Sequence, residues 1–448
     1  MLYNRAAQGS DLDRNPVVVI PGLLGSRLED PASGLVVWGA FGGRYANPAK
    51  DEGLRLLALP ISEQSRVEDI RSLEDPIEAV GVLDQVNLRI AGLPLDLNAY
   101  VQILATLGAG GYRDEELGRA GVVDYGEDHF TCFQFPYDWR RDLVASAAAL
   151  DRFLEEKAVE VERNLVEHYG AEAAASRLPV RFDLVAHSLG SLVTRYYLRY
   201  GGEEPPPLGE PIPWTGALRV ERVVLIGPPN AGSPRVLEVL VEGRDYGPTV
   251  PRYPSAMLGT YPSLYQLLPR ARHGSLIDAE SQEPVDPLDP EAWSRYRWGL
   301  LDPGQEEVLE ALLPHLEPER RVAVVQQHLA ALLARARVVQ QALDRPGVPP
   351  QGVDLYLLAG DAEPTLKSLQ VDPRRGRLEV ESLGPGDGEV LRSSALMDER
   401  RVDGSWSQRL VSPVAWHSVI FLNEDHLGLT RSRSFQDNVL FLLLEQPR

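Results

Sequence analysis

A chain of 448 residues, 44% apolar and 25% charged, is long enough to bury a large core and has the composition of a folded enzyme, which excludes disorder as its main state. Its 65 acidic against 45 basic residues leave a net charge of −20, a field that repels nucleic acid, so nucleic-acid binding is not expected. Cys132 is the only cysteine, and no intramolecular disulfide can form. The first residues carry Arg5, Asp11 and Asp13 without an apolar leader core, and no later stretch approaches about eighteen uninterrupted apolar residues. The expectation is a cytoplasmic protein with no transmembrane segment, or a secreted one if a leader has been removed.

Taken in chain order, short runs rich in β-branched and apolar residues end in turn residues. Val17 to Ile20 precedes Pro21-Gly22, and Phe130 to Phe135 precedes Pro136. Phe182 to Ala186 runs into His187-Ser188, and Arg222 to Ile226 into Gly227-Pro228-Pro229. Val353 to Leu358 leads to Ala359-Gly360-Asp361, and a last run spans Val414 to Leu422. Continuous rather than alternating apolar character predicts strands buried on both faces, as in a parallel sheet. Between them, Leu150, Phe153, Leu154, Ala158, Val161 and Leu165 keep a helical spacing, with Gly170 as the stop. Val322, Val325, Leu329, Leu332, Ala336, Val339 and Leu343 do the same before Pro346. Strands alternating with helices predict a doubly wound, mostly parallel α/β sheet in one domain. Its core is expected at about 14–28, 130–227 and 352–448. The stretches at about 29–129 and 228–351 are too long for bare loops and are read as cap or lid insertions.

The chemistry centres on Phe182-Asp-Leu-Val-Ala-His-Ser-Leu-Gly-Ser, a strand entering a small–x–Ser–x–Gly turn with a helix behind it. This is the strand–turn–helix of a nucleophile elbow in the α/β-hydrolase fold, with Ala186 where Gly is commoner. The bland alternative is a buried structural serine at a tight turn. Strand and helix together favour Ser188 as nucleophile, and the helix start aims its backbone donors at a developing oxyanion.

A serine hydroxyl needs a positioned base, and in this fold the chain order is Ser, acid, His. Of eight histidines, only His417 and His426 lie late enough. His426 follows the last strand on a loop, whereas His417 lies inside the apolar run, where a satisfied, partly buried ring is the plainer reading. For the acid, Asp387 in Gly384-Pro-Gly-Asp-Gly-Glu-Val and Asp361 after the fifth strand remain open on spacing, with Glu389 and Asp425 behind them. An ordinary Asp-Gly turn is the alternative for Asp387. The oxyanion hole calls for two N–H groups, expected from Leu189 and from Leu23 in Pro21-Gly-Leu-Leu-Gly; the latter could also be a plain strand-ending turn.

Several of these runs, in this order, resemble the lecithin:cholesterol acyltransferase family, which includes lysosomal phospholipase A2. They are Val18-Val-Ile-Pro-Gly-Leu-Leu-Gly-Ser-Arg-Leu-Glu, Phe135-Pro-Tyr-Asp-Trp-Arg-Arg and Val185-Ala-His-Ser-Leu-Gly-Ser. Leu225-Ile-Gly-Pro-Pro-Asn-Ala-Gly-Ser, Tyr261-Pro-Ser-Leu-Tyr-Gln-Leu-Leu-Pro, Asp387-Gly-Glu-Val and Asp425-His-Leu complete the series. The resemblance implies Asp387 as the acid, His426 as the base, and Leu23 and Leu189 as the oxyanion donors. It further implies hydrolysis or transfer of acyl groups from lipid esters. Serine chemistry of this kind needs no metal or cofactor, and no Cys/His cluster has metal-ligand spacing. Glu389 stands where the family commonly has Thr, and the disulfides of its animal members cannot form here.

The expected partner is a lipid or other ester substrate, which a membrane surface could present. The alternatives are an acyltransferase with an alcohol acceptor, a small-ester carboxylesterase, or a silent hydrolase fold that binds a lipid or protein. Asp138 and Arg140 invite a substrate-contact reading, but residues so close in sequence more often pair locally. Trp139, Trp293 and Trp298 could touch acyl chains, though large aromatics are more often core.

Overall fold

The computed structural model describes residues 12, 14–39, 45–83, 87–90, 93–96, 99–126, 129–245, 251–400 and 408–445. The six apolar runs form one sheet: β1 (Val17–Ile20), β2 (Cys132–Gln134), β3 (Phe182–His187), β4 (Val220–Ile226), β5 (Asp354–Gly360) and β6 (Ser418–Leu422). Their spatial order is β6-β5-β4-β3-β1-β2, and every neighbouring pair is parallel. The continuous apolar character has a direct cause. Val18, Ile20, Leu184, Ala186, Val223 and Leu225 enter one core, while Val17, Val19, Val185, Val224 and Ile226 enter another across the sheet.

Helices cover both faces. On the first lie α2 (Leu143–Tyr169), α3 (Leu189–Tyr200) and α4 (Pro318–Asp344); on the second lie α1 (Ala99–Ala109) and α5 (Arg433–Leu440). The periodic residues Leu150, Leu154, Val161 and Leu165 are the buried face of α2, whose Asp142 cap accepts the Val144 N–H at 2.9 Å. Gly170 ends it at φ 83, a conformation that favours glycine. Helix α1 lies within the stretch expected as the first insertion, yet Ile103, Leu104 and Leu107 pack against the sheet with Val17 and Val185.

By length and composition α4 could cross a membrane, with a mean hydropathy of 1.2 over its most apolar window. Its interior role is set by contacts instead. Val325, Leu329, Leu332, Ala336 and Val339 are buried in the core, and Arg335 reaches the buried Asp142 carboxylate at 2.9 Å. A core helix of a large sheet protein passes the same composition test.

The apolar runs do not mark every strand. Between β5 and β6 an antiparallel hairpin, Glu363–Val371 paired with Leu378–Gly386, delivers the chain to Asp387. Its second strand is exposed or half-buried at every position between its two ends and carries Glu379, Glu381, Gly384 and Pro385, so it lacks the apolar run of the central strands. A second small sheet, Ser26–Asp30, Leu35–Trp38 and Glu78–Val82, follows the turn after β1.

Candidate active site

The carboxyl ends of the parallel strands converge on one place. Ser188 caps α3 at φ 50 and ψ −122, a backbone state costly for any residue with a side chain. Its N–H donates to the Ile226 carbonyl at 2.8 Å, and its carbonyl accepts the Ser191 N–H at 3.0 Å. The small-residue rule of the elbow is steric here. A methyl on Gly190 would strike the backbone carbonyl of Pro21, and one on Gly22 would come within 2.7 Å of Ser188 Cβ. Ala186, two residues before the serine, is accommodated fully buried inside β3.

His426 and Asp387 meet from separate loops. His426 Nδ1 lies 2.7 Å from Asp387 Oδ2, and the His426 N–H donates to the Asp387 carbonyl at 2.8 Å. The other carboxylate oxygen, Oδ1, accepts the N–H groups of Val390 at 2.7 Å and Glu389 at 3.1 Å. Both side chains are buried. Burial disfavours a charged imidazolium, but the Asp387 charge and hydrogen bond outweigh it, aided by Glu389 and Asp425, and the His426 pKa is raised from 6.5.

Glycines make this meeting possible. Gly227, at φ 52 after β4, would with a methyl press the His426 ring at 3.1 Å; Gly360, the last residue of β5, would press Asp387 Cβ at 2.8 Å. Ser188 and His426 therefore flank the same Ile226-Gly227 strand end, one through its backbone and the other through its ring.

The turn after β1 is pinned along its length. Gly25 donates to the Gly22 carbonyl at 3.1 Å, and Leu24 sits at φ 64. Tyr137 Oη donates to the Pro21 carbonyl at 3.0 Å, Gly22 N–H donates to Tyr100 Oη at 2.7 Å, and Trp38 Nε1 donates to the Leu24 carbonyl at 2.9 Å. Among the described residues, neither Leu23 N–H nor Leu189 N–H donates to another protein group. Leu23 sits in this pinned turn and Leu189 opens α3 beside Ser188.

The rival residues lie elsewhere. Asp361 pairs with Arg392 at 2.7 Å, and His417 pairs with Asp354 at 3.0 Å at the start of β6. His417 is satisfied, as expected, but exposed rather than partly buried, because the strand begins one residue later. Asp425 turns back on its own loop, accepting the N–H of Gly428 at 2.7 Å. Glu389 contributes its N–H to Asp387, and its carbonyl accepts Ser233 Oγ at 2.9 Å.

Arg140 is fully buried and held by Asp138 at 2.7 Å, Asp75 at 2.8 Å and the Leu57 carbonyl at 2.9 Å, so local pairing fills its bonding capacity. Trp139, Trp293 and Trp298 are buried in the core, each donating its ring N–H to a backbone carbonyl. Tyr100, Tyr137 and Trp38 escaped sequence reasoning, since no local pattern ties them to a turn so distant in the chain. Among the described residues, no group of three or more His, Cys, Asp or Glu side chains is placed to hold a metal ion.

The parallel sheet wound on both faces by helices, with a serine in its strand–turn–helix elbow and an Asp–His pair at the neighbouring strand ends, has the α/β-hydrolase fold. Residues 102–283 match the family model of lecithin:cholesterol acyltransferase, which is the family the ordered motifs resemble. That segment includes Ser188 and Leu189, while Leu23, Asp387 and His426 lie outside it. Among solved structures, the Tle4-Tli4 complex is similar in fold, at 16% identity and a TM-score of 0.54, covering 96% of this chain and 98% of that one. Bacillus licheniformis lipase BlEst2 aligns at 11% identity and a TM-score of 0.35, covering 98% of this chain and 94% of the lipase. Lipase 1 from Pelosinus fermentans aligns at 13% and 0.34, covering 97% and 100%. No curated protein sequence matches the chain.

Proposed function

We propose that the chain transfers acyl groups from lipid esters through a covalent acyl-enzyme on Ser188. The observation that carries this reading is the buried His426–Asp387 pair at 2.7 Å, flanking the strand end from which the Ser188 turn hangs. His426 takes the Ser188 proton as the serine oxygen attacks the ester carbonyl, and Asp387 holds the ring and stabilises its imidazolium. The N–H groups of Leu23 and Leu189 receive the oxyanion. The ester bond then breaks as His426 returns the proton to the leaving alcohol. Water, or an alcohol in its place, attacks the acyl-enzyme with His426 as base, releasing acid or a new ester and restoring Ser188.

Support for a lipid rather than a small soluble ester comes from the family match and from the length of chain inserted between the sheet strands. The test is product analysis on mixed phospholipid and triacylglycerol vesicles, with and without a long-chain alcohol. Free fatty acid, or an alcohol ester, is expected from wild type and lost in Ser188→Ala. Wild type that cleaves short soluble esters but leaves every lipid untouched would overturn the lipid assignment.

A further inference from the structure

The geometry points to Tyr100 and His187 as a positioning pair that fixes the oxyanion-binding turn relative to the base-bearing loop, a role that rests on the acyl-transfer reading above. The turn has an inherent weakness. Gly22 cannot carry a side chain, because a methyl there would sit 2.7 Å from Ser188 Cβ and 3.1 Å from the His187 carbonyl. Glycine is also the residue with the widest backbone freedom, and it directly precedes Leu23. Whatever orients the Leu23 N–H must therefore restrain Gly22 from outside.

Tyr100 supplies that restraint. Its buried hydroxyl accepts the Gly22 N–H at 2.7 Å, and a methyl on Gly25 would fall 2.6 Å from the same oxygen. A hydroxyl that accepts from an N–H must send its own proton elsewhere, and His187 Nδ1 lies 3.2 Å away. His187 therefore keeps its remaining proton on Nε2, which faces the His426 carbonyl at 3.4 Å. The His187 and His426 rings lie 4.9 Å apart, and those of Tyr100 and His187 meet edge-on at 5.7 Å. Burial, reinforced by His426 close by, pushes the His187 pKa down to about 3, so the ring stays neutral and this proton order persists through the working pH range.

One continuous hydrogen-bond path thus runs from Gly22 N–H through Tyr100 and His187 to the His426 carbonyl. It joins the turn that receives the oxyanion to the loop that carries the base, and it runs through His187, the residue before Ser188. Neither Tyr100 nor His187 touches the reacting atoms in this account. Their effect is on geometry, which matters most in the tetrahedral state and least in the ground state.

The test compares Tyr100→Phe, His187→Leu, His187→Asn and the Tyr100→Phe/His187→Leu double variant on a p-nitrophenyl ester, with thermal unfolding of each. Tyr100→Phe removes one oxygen and keeps the ring. It should lower kcat about 30-fold with KM within about two-fold, somewhat less than outright loss of an oxyanion donor. His187→Leu should do the same. His187→Asn, whose amide oxygen can still accept from Tyr100, should recover most of the rate. The double variant should lose little beyond either single one, since both cut the same path. Tyr100→Phe with wild-type kcat, or losses in the double variant that multiply, would overturn the inference while leaving the serine mechanism standing. Absence of turnover in wild type and Ser188→Ala alike would overturn the acyl-transfer reading, and this one with it.

Discussion

Asp387 grips His426 at two points: a carboxylate oxygen on the ring nitrogen at 2.7 Å and a backbone carbonyl on the His426 N–H at 2.8 Å. The backbone bond places the loop and the side-chain bond selects the tautomer with a free Nε2, so the two functions can be separated by mutation. Asp387→Asn leaves the carbonyl in place and removes the charge. It should lower kcat by about 10⁴, as loss of the acid does in serine triads, while the protein remains folded. Single-turnover acylation measures this directly.

The same contact sets a pH dependence. His426 must be neutral to take the Ser188 proton, and its pKa lies above the ordinary 6.5 because Asp387 outweighs the cost of burial. Activity should therefore fall as pH drops through a value above 6.5. In Asp387→Asn the residual activity should have its acid limb moved toward lower pH. A limb that stays put in that variant would assign the titration to another group.

Gly190→Ala tests the elbow. Its new methyl would meet the Pro21 carbonyl, a backbone atom with no rotamer to yield. A cost of about 2–3 kcal/mol in denaturant unfolding is expected, as for overpacked cores, together with loss of activity in the folded fraction.

Arg140→Ala should act on stability and not on substrate binding. It removes one of two guanidinium groups that hold buried Asp138 and half-buried Asp75, Arg141 being the other, so the cost should lie at or below the lower end of the about 3–5 kcal/mol for breaking a buried pair. KM measured on the folded fraction should stay unchanged, because every bond Arg140 makes is internal. A raised KM at full folding would restore the substrate-contact reading.

Asp361→Asn and His417→Ala should each keep kcat within about two-fold of wild type, since surface pairs of this kind are worth little. Asp361 is engaged with Arg392 and His417 with Asp354, away from the His426 ring.

The sheet was legible because its strands are buried on both faces and so read as unbroken apolar runs. Ser188 was legible because its turn allows so few residues that the surrounding small positions are visible in sequence. Asp387 was not fixed by spacing. It follows a hairpin whose outer strand is largely exposed and carries glutamates, so nothing local separates it from Asp361, and only the family resemblance prefers it. Chain order leaves both His417 and His426, and only their places inside and after the last apolar run separate them in sequence; the structure shows that it is His426 that meets an acid in a buried site. Tyr100 lies furthest from sequence reasoning. Its partners are a backbone N–H and a ring 78 and 87 residues away, in a stretch read as an insertion.

The most direct test of the central claim is labelling with a fluorophosphonate, located by mass spectrometry of the digested protein. One adduct is expected, on the peptide bearing Ser188, absent in Ser188→Ala and strongly slowed in His426→Ala. An adduct on another serine, or undiminished labelling in Ser188→Ala, would contradict it.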